Sequence, residues 1–206
     1  MNVHPIEQES YRILEERIDL TGLAPLGRAV VARVVHATAD LALARSMVLD
    51  EAELEMAVCA LRDGASVVTD VVMVAAGITG RRARSFLDQV PAGGPATRSA
   101  AGAPATRSAA AMRLAAAAHP SGAIFVVGCA PTALVELVDL AAAGAVEPAL
   151  VIGLPVGFVG AAESKAALRA SGLPAVSNLG ERGGSAAAAA ACNALIRAAA
   201  NGTDRG

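Results

Sequence analysis

Aromatic side chains are nearly absent from this 206-residue chain: they make up 2% of it, with no Trp, a single Tyr and three Phe. That removes the stacking platforms on which single-stranded nucleic acids are held. No sign of charge dominates either. The 17 Lys and Arg stand against 19 Asp and Glu, for a net charge of −2, which leaves no electrostatic footprint for a phosphate backbone. Cysteine is scarce: Cys59, Cys129 and Cys192 are odd in number, far apart and without C-x-x-C or Cys/His spacing. Neither a disulfide framework nor a zinc site is therefore supported, and each Cys reads as a small buried residue in a reducing compartment. No apolar run reaches the ~18–20 residues of a membrane span, because Gly, Pro or charge interrupts every candidate. The opening MNVHPIEQESYRILEER is polar and charged, which excludes a secretory hydrophobic region. The expectation is a soluble, cytoplasmic protein with no nucleic-acid or membrane partner.

What the chain has in abundance is small aliphatic residues. Hydrophobic residues are 54% of the total, so the core must be built from Ala, Val, Leu and Ile, with helices that approach closely. The length suits one sizeable domain that needs no staples. Helical spacing of apolar residues predicts helices over Pro5–Arg17, Leu26–Arg45 and Glu51–Arg62. A strand over Ser66–Thr69 enters Asp70; Val71–Ile78 reads as a helix or a strand edge, and Ser85–Val90 as another strand. From Gly122 onward the pattern is regular. Apolar strands at Gly122–Val127, Ala149–Ile152 and Pro174–Ser177 alternate with helices at Ala133–Ala143, Glu163–Ala170 and Ala186–Ala200. Strand, polar glycine turn and helix in alternation predict an α/β fold, a doubly wound, mainly parallel sheet with helices on both faces.

Residues 93–110 hold a nine-residue tandem repeat, GGPATRSAA followed by GAPATRSAA. Repeat architectures need longer units and more copies. The second copy runs straight into AAAMRLAAAA, a strong helix former, so Thr106 or Ser108 can cap that helix. The first copy reads as loop.

In a parallel sheet the strand-to-helix turns share one edge. Gly128–Thr132, Gly153–Lys165, Gly180–Ser185 and the turn at Thr106–Ala111 would converge there, carrying Thr106, Arg107, Ser108, Thr132, Ser164, Lys165, Arg182 and Ser185. Singly these are helix caps and turn residues. Together they are donors around exposed N–H groups and positive helix ends, which suits a large ligand with several carboxylates or phosphates. The glycine spacing in LVIGLPVGFVGAAESK is neither GxGxxG nor GxxxxGK, so a nucleotide is disfavoured.

Among the histidines, His4 and His119 each precede a Pro and read as exposed and inert. His36 lies in the helical stretch RVVHATAD, with Arg33 and Asp40 at spacings that put all three on one helix face. A flanking carboxylate could hold the imidazole protonated, and Arg33 could bind an anion beside it. A lone His on an apolar helix is equally well a satisfied core residue, so on the residues alone the acid catalyst and the core histidine both stand. No nucleophile elbow, H-E-x-x-H or Walker motif is present, and no metal or redox cofactor is marked.

The segments HPIEQESYRIL, VVHATAD, TDVVMVAAGI, TRSAAAMR, GCAPTALVEL, PALVIGLPVGFVGAAESK and RGGSAAAAAACNAL, in that order and over nearly the whole chain, resemble the precorrin-8X methylmutase family. The resemblance implies a flavodoxin-like architecture, a homodimer or larger homo-oligomer, and no cofactor. It also implies an isomerase of cobalamin biosynthesis that moves a methyl group from C-11 to C-12 of the precorrin-8X macrocycle, giving hydrogenobyrinic acid. The polycarboxylate tetrapyrrole agrees with the donor-rich edge. By the same resemblance the catalytic histidine falls on His36, with substrate contacts on Ser10 and Arg33. The converging turns add Thr106, Arg107, Ser108, Thr132, Glu163, Ser164, Lys165, Gly184 and Ser185 as expected substrate contacts. Thr106-Arg107-Ser108 matches the family copy of the duplicated block, and Thr97-Arg98-Ser99 is extra. Cys129 stands where the family commonly has Asn. The motifs do not separate precorrin-8X from cobalt-precorrin-8, and a non-catalytic corrinoid carrier remains a competing class.

Overall fold

In a computed structural model, which describes residues 4–91 and 106–201, the chain forms a six-stranded sheet with helices on both faces. The strands are β1 (Met47–Val48), β2 (Val67–Thr69), β3 (Ala83–Ser85), β4 (Ile124–Val127), β5 (Leu150–Gly153) and β6 (Ala175–Asn178). Their order is β1-β6-β5-β4-β2-β3, parallel throughout except for β1, which runs antiparallel to β6. Leaving β1 aside, the parallel strands follow the order 2-1-3-4-5, the flavodoxin-like arrangement whose topological switch point lies between β2 and β4. Each central strand is buried on both faces and, apart from Thr69 at the end of β2, carries no polar side chain, as a sheet covered on both sides requires.

One face is covered by α2 (Pro25–Thr38), α4 (Glu51–Arg62), α5 (Val72–Gly77) and α9 (Ser185–Asn201). The other is covered by α6 (Arg107–Ala118), α7 (Pro131–Ala142) and α8 (Ala161–Ala170). Alanine does what its abundance implies. Ala187 to Ala191 are all buried along α9, and the helix comes so close that a Cβ on Gly77 would lie 2.9 Å from that of Ala189.

The first helix, α1 (Pro5–Arg17), packs across α2, with Leu14 buried against Val31 and Val35.

Three expectations are corrected here. The helix expected over Leu26–Arg45 is two helices, α2 and α3 (Leu41–Ser46), because Ala39 turns left-handed at φ 53° and Asp40 caps a new start. The strand expected over Ser85–Val90 ends at Ser85 and gives way to a 3-10 turn at Leu87–Gln89. Only Cys192 is buried; Cys59 and Cys129 are exposed. The first repeat copy, with Thr97, Arg98 and Ser99, lies outside the described residues. No helix among the described residues is long and apolar enough to cross a membrane.

Candidate active site

His36 sits in the last turn of α2. Its Nδ1 is 2.8 Å from the Ser10 hydroxyl on α1, and the Tyr11 ring stacks on the imidazole, with centroids 4.9 Å apart and planes 9° from parallel. Two neighbours on one helix turn thus fix both the plane and the rotation of the ring. With Nδ1 engaged by a hydroxyl, Nε2 is the nitrogen left to exchange a proton with a ligand. Ser10 and His36 line a small cleft of about 150 Å³ together with Ile13, Leu14, Arg17, Val35, Ala39 and Leu41. Leu14 and Arg17 also border a larger recess of about 680 Å³ between α1 and α2.

Arg33, one turn before His36, does not stand open. Its Nη1 donates to Glu7 at 2.8 Å and lies 3.4 Å from the Tyr11 hydroxyl, with Arg197 3.8 Å from the same carboxylate. A ligand carboxylate reaching Arg33 would have to displace that of Glu7. Asp40, expected on the same helix face, is a correction. The break at Ala39 carries it off that face, where it accepts from the Ala42 N–H at 2.9 Å and from Arg182 at 2.6 Å. The hydroxyl of Ser10, and not a carboxylate, is the partner of His36.

The other expected residues do come to one edge, since β4, β5 and β6 are parallel. Thr106 caps α6, accepting from the Ala109 N–H at 3.1 Å, and its hydroxyl is 2.6 Å from that of Thr132 on α7. Ser108 is half-buried on the first turn of α6, Ser185 half-buried at the start of α9, and Glu163 exposed on the first turn of α8. Arg107 is spent locally: its guanidinium donates to the carbonyls of Leu87 and Val90. Ser164 and Lys165 face inward, at 1% and 0% exposure. Ser164 donates to the Ala161 carbonyl, and the Lys165 amine to Asn178 at 3.0 Å and the Arg182 carbonyl at 2.6 Å. Gly184 has its N–H on the Leu154 carbonyl at 2.8 Å. Lys165 and Gly184 hold the turns together and Ser164 bonds within α8, so none of the three is an open donor; β5 and β6 end side by side, and their loops must satisfy one another. Among the described residues, no group of three or more His, Cys, Asp or Glu is placed to hold a metal ion.

The precorrin-8X methylmutase family description matches residues 5–198. This chain belongs to the precorrin-8X methylmutase family. It is 40% identical to the cobalt-precorrin-8 methylmutase of Methanothermobacter thermautotrophicus, over 94% of this chain and 92% of that one. It is 38% identical to a Sinorhizobium precorrin-8X methylmutase, over 93% of each. The crystal structure of the Thermus thermophilus precorrin-8X methylmutase superposes with a TM-score of 0.82 at 36% identity, over 96% of both chains. Methylmutases are isomerases, and so is this protein, a methylmutase of cobalamin biosynthesis.

Several residues of this methylmutase escaped the sequence reading. Tyr11 was legible in principle, as the only tyrosine of the chain directly beside Ser10. Asp70 is buried at the end of β2, and its carboxylate accepts the N–H groups of Gly128, Cys129 and Ala130. Burial pushes its pKa up, against the pull of those N–H groups. His4 and His119 are not idle: His4 accepts from the Ile6 N–H to cap α1, and His119 is half-buried, edge-on to Phe86.

Lys165 gives a pH test. Burial first, and Arg169 second, lower its pKa to about 8, with Glu181 opposing. An unfolded lysine holds its proton to about pH 10.4. Between those values the unfolded chain binds more protons, so this group's contribution to stability rises with pH. The melting temperature of the wild type, minus that of Lys165→Met, should therefore grow from about pH 8 to about pH 10. A difference that stays flat or shrinks over that range would contradict the assignment.

Proposed function

We propose that the protein moves the methyl group of precorrin-8X from C-11 to C-12, giving hydrogenobyrinic acid, with His36 as the acid. The observation that carries this reading is the Ser10–His36 pair under the Tyr11 ring. In the imidazolium form Nδ1–H donates to Ser10 and Nε2–H is free to donate to a ring nitrogen of the macrocycle. Protonation draws electrons from the conjugated system. The C-11–methyl bond then breaks as the C-12–methyl bond forms, in a 1,5-shift that needs no free carbanion or radical, and the ring nitrogen returns its proton to His36. The reaction has no redox balance to make up, so no cofactor is required. The carboxylates of the substrate are met at the sheet edge, where the N-terminus of α6 begins beside the Thr106–Thr132 pair.

A second reading has the cobalt-containing macrocycle as substrate, since the relative at 40% identity carries that name. The two differ chemically. Cobalt occupies the ring nitrogens, so the proton donation proposed for His36 needs the metal-free ring. Spectral turnover assays with precorrin-8X and with cobalt-precorrin-8 separate them. Conversion of precorrin-8X supports the proposal; turnover of the cobalt form alone removes the acid step at nitrogen. Binding of both without conversion would make the protein a carrier. We also infer a cytoplasmic homodimer or larger homo-oligomer, and a protein that sediments as a monomer at micromolar concentration with full turnover would refute that assembly.

A further inference from the structure

Open sheets of this topology take their ligands at the switch point, here the crevice between the ends of β2 and β4. The turn after β4 offers successive N–H groups at the start of α7, the arrangement that elsewhere cradles a phosphate. In this protein the cradle is filled from within. Asp70, 1% exposed, accepts from Gly128 through Oδ1 at 3.2 Å and from Cys129 and Ala130 through Oδ2 at 2.8 and 2.7 Å. An incoming anion meets a negative charge there, and the N–H groups of Gly128, Cys129 and Ala130 are already taken.

The same bonds pin a turn with little room to move. A Cβ on Gly128 would lie 2.8 Å from that of Ala188 and 3.0 Å from the Ser185 backbone, so the turn is wedged against the start of α9. On its other side the turn leads to Thr132, whose hydroxyl is 2.6 Å from that of Thr106, the cap of α6. From these contacts we infer that Asp70 is a positioning and specificity-determining residue. It acts as a built-in anion that closes the switch-point cradle to phosphates and holds the start of α6 where the substrate's carboxylates bind. The kinetic half of this statement rests on the proposed methyl migration; the occupancy of the cradle does not.

Two variants test it. Asp70→Gly vacates the cradle, so small carboxylates should refill it. Thermal denaturation in sodium formate, against sodium chloride at equal ionic strength, should show the variant rising by about 3 °C or more once formate exceeds its Kd tenfold. The wild type should follow the chloride control. A variant that responds to formate no more than the wild type overturns the anion assignment. Asp70→Asn keeps one acceptor oxygen and turns an NH2 group on the remaining N–H donors. It should raise KM about tenfold with kcat little changed, because the carboxylate-binding end moves and the acid at His36 does not. Unchanged KM, or a fall in kcat alone, overturns the positioning role. Should Asp70→Gly not fold, the Asp70→Asn kinetics decide. Should the wild type fail to convert precorrin-8X, the methyl-migration reading falls while the formate result still stands or fails by itself.

Discussion

His36→Ala should lose about 10²–10⁴-fold in kcat, the contribution of a positioned proton donor, while still binding its substrate. The loss falls on kcat because the proposed carboxylate contacts, at the starts of α6 and α7, are made by residues other than His36. A companion variant separates the acid from its support. Ser10→Ala keeps the imidazole and the Tyr11 stack but removes the hydroxyl at Nδ1. A hydrogen bond to a charged group contributes about 1.5 kcal/mol, so this variant should lose about tenfold. Single-turnover spectra with precorrin-8X measure both, and binding is followed separately by titration. If His36→Ala keeps the wild-type rate, the acid step is wrong. If Ser10→Ala costs as much as His36→Ala, the serine has a direct part in the chemistry.

Much of the scaffold could be read from pattern alone, because apolar strands buried on both faces and long alanine-rich helices are strong signals. The chain from β4 to α9 followed the expected alternation element by element, and the resemblance pointed to the family that the comparisons establish. What escaped the sequence was decided by single backbone positions. One left-handed residue, Ala39, splits the second helix and moves Asp40 from beside His36 to Arg182. Periodicity has no term for such a break, since Ala39 has no glycine or proline to mark it. The two-residue strand β1 is likewise too short to carry a pattern.

The side chains of the edge were harder still. Ser164 and Lys165 look like donors in sequence, yet the face they occupy on α8 is the buried one. A lysine amine becomes inward-facing only when acceptors such as Asn178 and the Arg182 carbonyl are waiting, and those come from a different loop. Asp70 follows the same logic. An aspartate at the end of an apolar strand is legible, but the three N–H groups that it serves arrive from a turn 58 to 60 residues later.

The loops after β5 and β6 give the second large effect, on stability. Gly183→Ala should lower the melting temperature by about 4–24 °C, roughly twice the fall of about 2–12 °C expected of Gly180→Ala in the same turn. Both glycines have positive φ, 150° and 77°, so both substitutions strain the backbone, by about 1–3 kcal/mol. The surroundings separate them. A Cβ on Gly180 meets nothing within 4 Å, but on Gly183 it would lie 2.3 Å from the Leu154 carbonyl oxygen and 2.9 Å from that of Pro155. Backbone atoms cannot swing aside as a side-chain tip can, so the two loops must part, adding about 1–3 kcal/mol of overpacking. The Leu154 carbonyl also accepts from the Gly184 N–H, and the Arg182 carbonyl receives the Lys165 amine. Parting the loops therefore disturbs the edge that is proposed to take the substrate, and Gly183→Ala should lose activity at temperatures where Gly180→Ala retains it. Calorimetry and turnover on the pair give the answer. Equal melting temperatures would mean that strain at φ alone, and not the close approach of the loops, sets the cost at Gly183.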